Sequence, residues 1–283
     1  MKLPVENDVG CVPHSFKAAL LDVFKTKFVN LMVLSIFVFL FFIPLICSDI
    51  FFNSYIGGVG QDLSQLTETQ RAFRDFYLRI YQGAIDIPLL MLGCLGFGSS
   101  MFVFKKYIYG EKAYLVSDFF KNGIKATYKA SLLWSFILGL ISLLINFNVY
   151  GLTAYEFPKL YIVITSIIEG LVFILVFFIY FFSVCSETIY DLPFGNATKN
   201  SLLFSGILYG KNLLVFISTF AWIVCYYLFT NIFFQGFSLL VFFFIGAGVL
   251  SLVWTTYCLY IFNKYINRIK GVTINNRDYW KDI

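Results

Sequence analysis

The sequence predicts an all-α fold, a polytopic transmembrane helical bundle of six spans with both termini in the cytoplasm. Three observations predict it. The chain of 283 residues is 59% hydrophobic and only 13% charged, whereas soluble domains run near 45–50% apolar and about 25% charged. Its apolar residues gather in runs of about 20, the length that crosses a bilayer as a helix. Its basic residues gather at alternate ends of those runs. We therefore interpret residues 1–283 as a single integral membrane domain.

Six apolar runs are long enough to be spans. Each can cross ~30 Å of hydrocarbon at a rise of ~1.5 Å per residue. The runs lack the alternating pattern of an outer-membrane strand, which leaves helices. The first run begins only at residue 28 and is too long for a secretory signal, so we expect it to be retained as an anchor. The predicted spans are Phe28–Ile50, Ile85–Phe104, Ala130–Tyr150, Tyr161–Val184, Leu213–Asn231 and Phe237–Phe262.

The distribution of basic residues predicts the orientation of these spans. Of the 21 Lys and Arg residues, 17 fall in the segments on one side of the predicted membrane and 4 on the other. Cytoplasmic loops carry the excess of Lys and Arg. We therefore predict a cytoplasmic N-terminal segment, 1–27, and a cytoplasmic basic tail, 263–283, in a bacterial cell membrane. The net charge of +5 then indicates orientation beside anionic lipid, and no nucleic-acid partner is expected.

Each span that starts from the cytoplasm is preceded by an amphipathic stretch. The first lies within 1–27 and places apolar residues from Phe16 to Phe24 at helical spacing. The second is DFFKNGIKATYKASLL and the third is PFGNATKNSLLFSGILYGKNLL. Such spacing with a basic polar face suits a helix in the membrane interface. The chain would then repeat one unit three times, an interfacial helix followed by a two-span hairpin. The alternative is that any span starting in the cytoplasm attracts basic amphipathic flanks.

The segment 51–84 is predicted to be an extracytoplasmic loop that contains an amphipathic helix. Thr67 and Gln70 stand three residues apart, the spacing of a capping box, and Gly83 is placed to end the helix. Such a helix could lie on the outer membrane surface, cap the bundle or dock a partner.

No pattern in the chain indicates catalysis. There is one histidine, His14, and the sequence contains no H-E-x-x-H, G-x-S-x-G or P-loop motif. The six cysteines are scattered without a C-x-x-C pair, so we interpret them as packing residues. We therefore predict that the protein is not an enzyme and has no catalytic, cofactor-binding or metal site.

Glu169 is the one acidic residue in the interior of a predicted span. A carboxylate at that depth is costly, and an ionisable residue within the membrane is a functional hypothesis by default. We predict an intramembrane polar site of Glu169, Asn146 and Thr165, with Asn148 and Ser166 as further neighbours. Its role is either proton or cation handling, or helix packing and snorkelling toward the outside.

Three stretches resemble the YesL-like integral membrane proteins of bacteria. They are FLFFIPLI at the end of the first span, DFFKNGIKATYKASLL after the second and IYDLPFGNATKNSLLF before the fifth. The chain departs from the family where Ala126 follows Lys125, since the family tends to Asn there. The resemblance implies no catalytic residues. It implies an association with carbohydrate-uptake gene clusters, and hence an accessory role beside an ABC sugar importer.

Two functions follow as expectations. The first is a non-enzymatic accessory or scaffold protein of a bacterial carbohydrate-uptake system, whose partners are the lipid bilayer and either importer permease subunits or further copies of the chain. The alternative is a transporter or channel in its own right, with Glu169 in its pathway. An intramembrane enzyme would need a nucleophile or metal cluster that the sequence does not offer.

Overall fold

The computed structural model describes residues 16–58, 64–190, 194–228, 232–262 and 264–265. These residues form helices joined by short connections, and they include no strand. The helices are α1 (Phe16–Thr26), α2 (Phe28–Ile56), α3 (Glu68–Ile108), α4 (Leu115–Ala154), α5 (Lys159–Tyr190), α6 (Phe194–Ile207), α7 (Tyr209–Leu228) and α8, which joins Ile232–Val241 to Ala247–Phe262. Short π-helical turns interrupt α4 at Asp118–Gly123 and Phe147–Gly151, and α8 at Phe242–Gly246.

Five of these helices are long and apolar enough to cross a membrane, namely α2, α3, α4, α5 and α8. Helices α6 and α7 are bent by 86° at Leu208 and form a sixth candidate only if they count as one span. The prediction of an all-α bundle is confirmed. The predicted count of six spans is reached when the bent pair is included.

Helix α3 begins as predicted and then differs from the prediction. Thr67 Oγ1 accepts a hydrogen bond from the backbone N–H of Gln70 at 3.3 Å, and Gln70 Oε1 accepts one from the N–H of Thr67 at 3.0 Å. This is the predicted capping box. The helix does not end at Gly83, however, but runs for 41 residues from Glu68 to Ile108. The amphipathic helix and the second span are one element.

The reason lies in what Gly83 contacts. A Cβ at Gly83 would lie 2.8 Å from Cδ1 of Leu143 on α4, so the glycine allows close helix approach instead of ending the helix. The predicted loop over 51–84 is therefore wrong in extent. Helix α2 continues to Ile56 and α3 starts at Glu68, which leaves residues 57–67 as the connection.

Small residues bring α3 and α4 together elsewhere as well. A Cβ at Gly98 would lie 2.6 Å from the Ser131 hydroxyl, and one at Gly139 would lie 2.9 Å from Ile87 Cγ1. Close approach through small residues is the usual way in which helices associate in a membrane, where lipid tails compete with apolar side chains. The long α3 thus forms a rigid support on which α2 and α4 both pack.

The centre of the bundle is aromatic. The Trp254 indole on α8 stacks on the Phe181 ring of α5 with centroids 4.2 Å apart, and Phe177 and Phe178 meet the same indole at 6.3 and 5.9 Å. Phe181 and Trp254 are almost completely buried. Part of the high phenylalanine content therefore packs helices against one another, beyond filling the lipid-facing surface.

Helices α1 and α6 are the short elements that precede the longer helices α2 and α7. In α1, Ala19 and Val23 are buried, and the Phe16 ring lies 6.5 Å from the Tyr260 ring of α8. The predicted amphipathic helix is confirmed over the described residues, but α8 covers part of its apolar face. At the bend after α6, Asn212 donates to the carbonyls of Phe204 and Ser205, at 3.2 and 3.4 Å.

The three predicted units differ in form. The first and third have a separate short helix, α1 or α6, before the longer helix α2 or α7. In the second, residues Leu115–Ala154 form one continuous helical segment with a π turn at Asp118–Gly123. Most of the predicted tail, 263–283, and the first part of segment 1–27 lie outside the described residues.

Candidate functional site

The predicted polar site around Glu169 is only partly assembled as expected. The Asn148 amide Nδ2 lies 2.6 Å from Thr165 Oγ1, 3.3 Å from Ser166 Oγ and 3.1 Å from Glu169 Oε2. These four side chains therefore form one hydrogen-bonded group between α4 and α5. Asn146 lies elsewhere, because its Nδ2 is 3.3 Å from the Cβ position of Gly83 on α3.

Asn148 and not Asn146 reaches Glu169 because the two residues lie two positions apart, about 200° around a helix. When one of them faces α5, the other therefore faces a different neighbour. Asn148 lies in the π-helical turn Phe147–Gly151 at the end of α4, directly after Asn146, and such turns are frequent at functional sites. Asn148 is 5% exposed, and its amide in the packed interface of α4 and α5 donates to Glu169.

A cavity of about 510 Å³ lies among six helices and forms a second, larger feature. Glu169 does not line it. On α2 and α3 the lining runs from Val38 to Ile50 and from Gly83 to Phe97, which is about 18 Å and about 21 Å along the two axes at helical rise. The other walls come from Leu138, Gly139, Ser142, Phe173, Phe177, Tyr180, Phe181, Phe220, Leu239, Phe242 and Leu250.

Almost all of this lining is apolar. The polar atoms come from two carboxylates, the Ser142 hydroxyl, the Cys94 thiol and the Tyr180 phenol. The phenol already has a hydrogen-bond partner at one end of the cavity, since Tyr180 Oη donates to the Cys94 carbonyl at 2.7 Å. Phe177 and Phe181 of the aromatic core close the same end.

The two carboxylates, Asp49 and Asp86, lie at the other end. Asp49 Oδ1 accepts hydrogen bonds from Asn53 Nδ2 at 2.8 Å and from Gln82 Nε2 at 3.1 Å. Asp86 Oδ1 accepts one from the Ser48 hydroxyl at 2.7 Å. Helices α2 and α3 thus hold two half-buried acids on one wall of an apolar cavity.

Arg79 is linked to this pair of acids through the side chain of Gln82. Arg79 Nη1 donates to Gln82 Oε1 at 2.8 Å, and its guanidinium lies 5.2 Å from the centre of the Tyr150 ring. The Gln82 amide therefore hydrogen-bonds to both Arg79 and Asp49. Within the described part of the chain, no ion pair joins Asp49 or Asp86 to a lysine or arginine.

Asp49 and Asp86 were missed in the sequence because each lies within two residues of a predicted span end, Ile50 or Ile85. At such a boundary a carboxylate is usually a solvated residue. One signal was available. Asp49 precedes Asn53 by four residues and Gln82 precedes Asp86 by four, so polar pairs one turn apart stand at the facing ends of consecutive spans.

The described residues contain no group of three or more His, Cys, Asp or Glu side chains that could hold a metal ion. The chain was also compared with known proteins. Comparison with protein-family models, with curated proteins and with solved structures finds no match.

Proposed function

We propose that this chain is a multi-pass membrane protein that binds a small, largely apolar molecule in the cavity between its helices. The cavity carries the proposal. Binding sites for small molecules are typically ~300–1,000 Å³, mostly apolar, with a few convergent polar groups, and a cavity of about 510 Å³ with two carboxylates at one end fits that description.

The lining also argues against a sugar in this cavity. A sugar presents hydroxyl groups over its whole surface, and each one buried without a partner costs roughly 1–3 kcal/mol. Between the acids and Tyr180, Ser142 and the Cys94 thiol are the polar side chains of the lining. An apolar body with one polar end is the better fit.

A side chain that fills the cavity tests this function. In Ser142→Phe the ring enters the cavity, and we expect at least tenfold weaker binding of the neutral fluorophore N-phenyl-1-naphthylamine. Binding is measured by fluorescence with the full chain in nanodiscs, against protein-free nanodiscs. Leu144→Phe is the matched control, because Leu144 is on the same helix, is 57% exposed and does not line the cavity. Equal binding by the two variants would contradict the proposal.

A second proposal comes from the resemblance to YesL-like proteins, an accessory role beside a bacterial carbohydrate importer. It differs from the first because the chain would act through protein contacts. Of the quoted motif, Asp118 and Phe119 are almost completely buried, so a partner would contact other residues. Retention of an importer permease subunit by the full chain in mild detergent would support this role, and its absence would count against it.

We also propose the predicted location, a bacterial cell membrane with both termini in the cytoplasm. Cysteine labelling in a cysteine-free background tests the orientation. We expect Ser64→Cys to react with an impermeant maleimide in intact cells and Lys112→Cys only after lysis, since both positions are exposed. Gly123 is unsuitable, because a Cβ there would lie 2.8 Å from the Asp118 carbonyl. The reverse pattern would overturn the orientation.

A further inference from the structure

We infer that the occupant of the cavity is a lipophilic organic cation, whose charged group is held by Asp49 and Asp86. This inference rests on the proposed binding function and names the class of molecule bound. It joins two independent observations, an apolar cavity large enough for a small organic molecule and a pair of acids without a basic partner on its wall.

The hydrogen bonds of the two acids come from neutral groups. Asp49 accepts from the amides of Asn53 and Gln82, and Asp86 accepts from the Ser48 hydroxyl. Neutral donors orient a carboxylate but leave its charge uncompensated. Buried charges are normally paired with an opposite charge. The two half-buried acids therefore favour a positive charge at this end of the cavity.

The arginines nearby are committed to other groups. Arg79 donates to Gln82 and lies over the Tyr150 ring. Arg74 forms an ion pair with Asp75 at 3.0 Å and donates to the Tyr55 carbonyl at the end of α2 at 2.7 Å. Because both guanidinium groups have these partners and neither arginine lines the cavity, a bound molecule is the natural source of the missing charge.

The aromatic walls of the cavity also favour an organic cation. Phe42, Phe173, Phe177 and Phe220 line the cavity, and aromatic faces attract organic cations as well as apolar groups. A molecule with a delocalised or shielded positive charge loses less on leaving water than a compact ion does. The combination of aromatic walls and two carboxylates therefore selects an apolar cation over a neutral molecule of similar size.

An inorganic cation is a poorer fit. Calcium takes about 6–8 oxygen ligands and magnesium about six. The described residues place only two acids here, and the cavity that they face is apolar. A metal ion would need most of its ligands from water, which the aromatic walls do not replace.

Binding of tetraphenylphosphonium to the full chain in phosphatidylcholine nanodiscs tests the inference. We expect the Asp49→Asn/Asp86→Asn double variant to bind this cation at least tenfold more weakly than the unchanged protein, and to bind neutral N-phenyl-1-naphthylamine equally well. Each single variant should show part of the loss. Asp75→Asn is the matched control, because Asp75 lies on the same helix, pairs with Arg74 and does not line the cavity.

The neutral probe separates the two proposals. If the neutral probe binds and tetraphenylphosphonium binding is unaffected by the double variant, the inference of a cation is wrong while the cavity function stands. If neither probe binds the unchanged protein, the cavity function fails too. Retained binding of the neutral probe also shows that the double variant is folded; if that variant does not fold, the single variant Asp86→Asn decides. Displacement of the cation by millimolar calcium would favour a metal site and would overturn the inference.

Discussion

Replacing Gly248 with valine should separate α8 from α2 and lower the free energy of unfolding by about 3 kcal/mol, the upper end for overpacked cores. A Cβ at Gly248 would lie 2.7 Å from the backbone carbonyl oxygen of Leu31 and 3.2 Å from Ser35 Cβ. A backbone atom cannot rotate away as a flexible side chain can, so one helix must move. The midpoint of unfolding of the purified protein, followed by tryptophan fluorescence, measures the effect.

Gly170→Val is the control for that substitution. Gly170 lies in α5, and no atom comes within 4 Å of its Cβ position. Both variants add the same groups to a helical glycine, so they share any change in helix propensity. We expect Gly170→Val to stay within about 0.5 kcal/mol of the unchanged protein. Equal losses in the two variants would show that α2 and α8 do not pack through Gly248.

The second large effect is expected at Asp118, next to the end of the bundle where α3 leads into α4. Its carboxylate accepts hydrogen bonds from the Tyr114 backbone N–H at 2.7 Å and Asn122 Nδ2 at 2.7 Å, and pairs with Lys106 Nζ at 2.9 Å. Asp118→Ala leaves a lysine and a backbone donor without their acceptor, which for a buried pair costs about 3 kcal/mol. The same unfolding measurement tests it.

Asp75→Ala removes an ion pair of similar length from a more exposed place. The Arg74–Asp75 distance is 3.0 Å and the Asp75 side chain is 30% exposed, against 2% for Asp118. Exposed pairs contribute about 0–1 kcal/mol, so we expect a much smaller loss. Asp118→Asn, which keeps the shape but not the charge, should fall between. A loss at Asp118→Ala no greater than at Asp75→Ala would mean that the contacts of Asp118 do not stabilise the α3–α4 connection.

The Asp118 contacts also bear on the resemblance to YesL-like proteins. Asp118 begins the quoted stretch DFFKNGIKATYKASLL, and the three donors around it hold the connection between α3 and α4. A motif residue with this role stabilises the fold and gives no information about a substrate. The sequence motif therefore leaves the accessory role in carbohydrate uptake as a proposal.

The predicted site shows where sequence reasoning reaches its limit. Glu169 and Thr165 are one turn apart on α5, so their proximity follows from helical periodicity. The choice between Asn146 and Asn148 on α4 does not, because it depends on which face of α4 packs against α5 and which against α3. Nor could periodicity bring Asp49 toward Asp86, which lie on different helices and share a cavity wall only through the packing of α2 on α3.

The sequence by itself determined the all-α class, the segments long enough to span a membrane and the start of α3 at its capping box. The physical reason is that these properties are local: a helix satisfies its backbone hydrogen bonds within itself, and its apolar length decides whether lipid can surround it. Only the tertiary structure decided that Gly83 continues a helix, that Asn148 reaches Glu169 and that two acids face an apolar cavity. Those outcomes depend on which side chains meet when helices far apart in the chain pack against one another, and the close approach at glycines such as Gly83 is part of that packing.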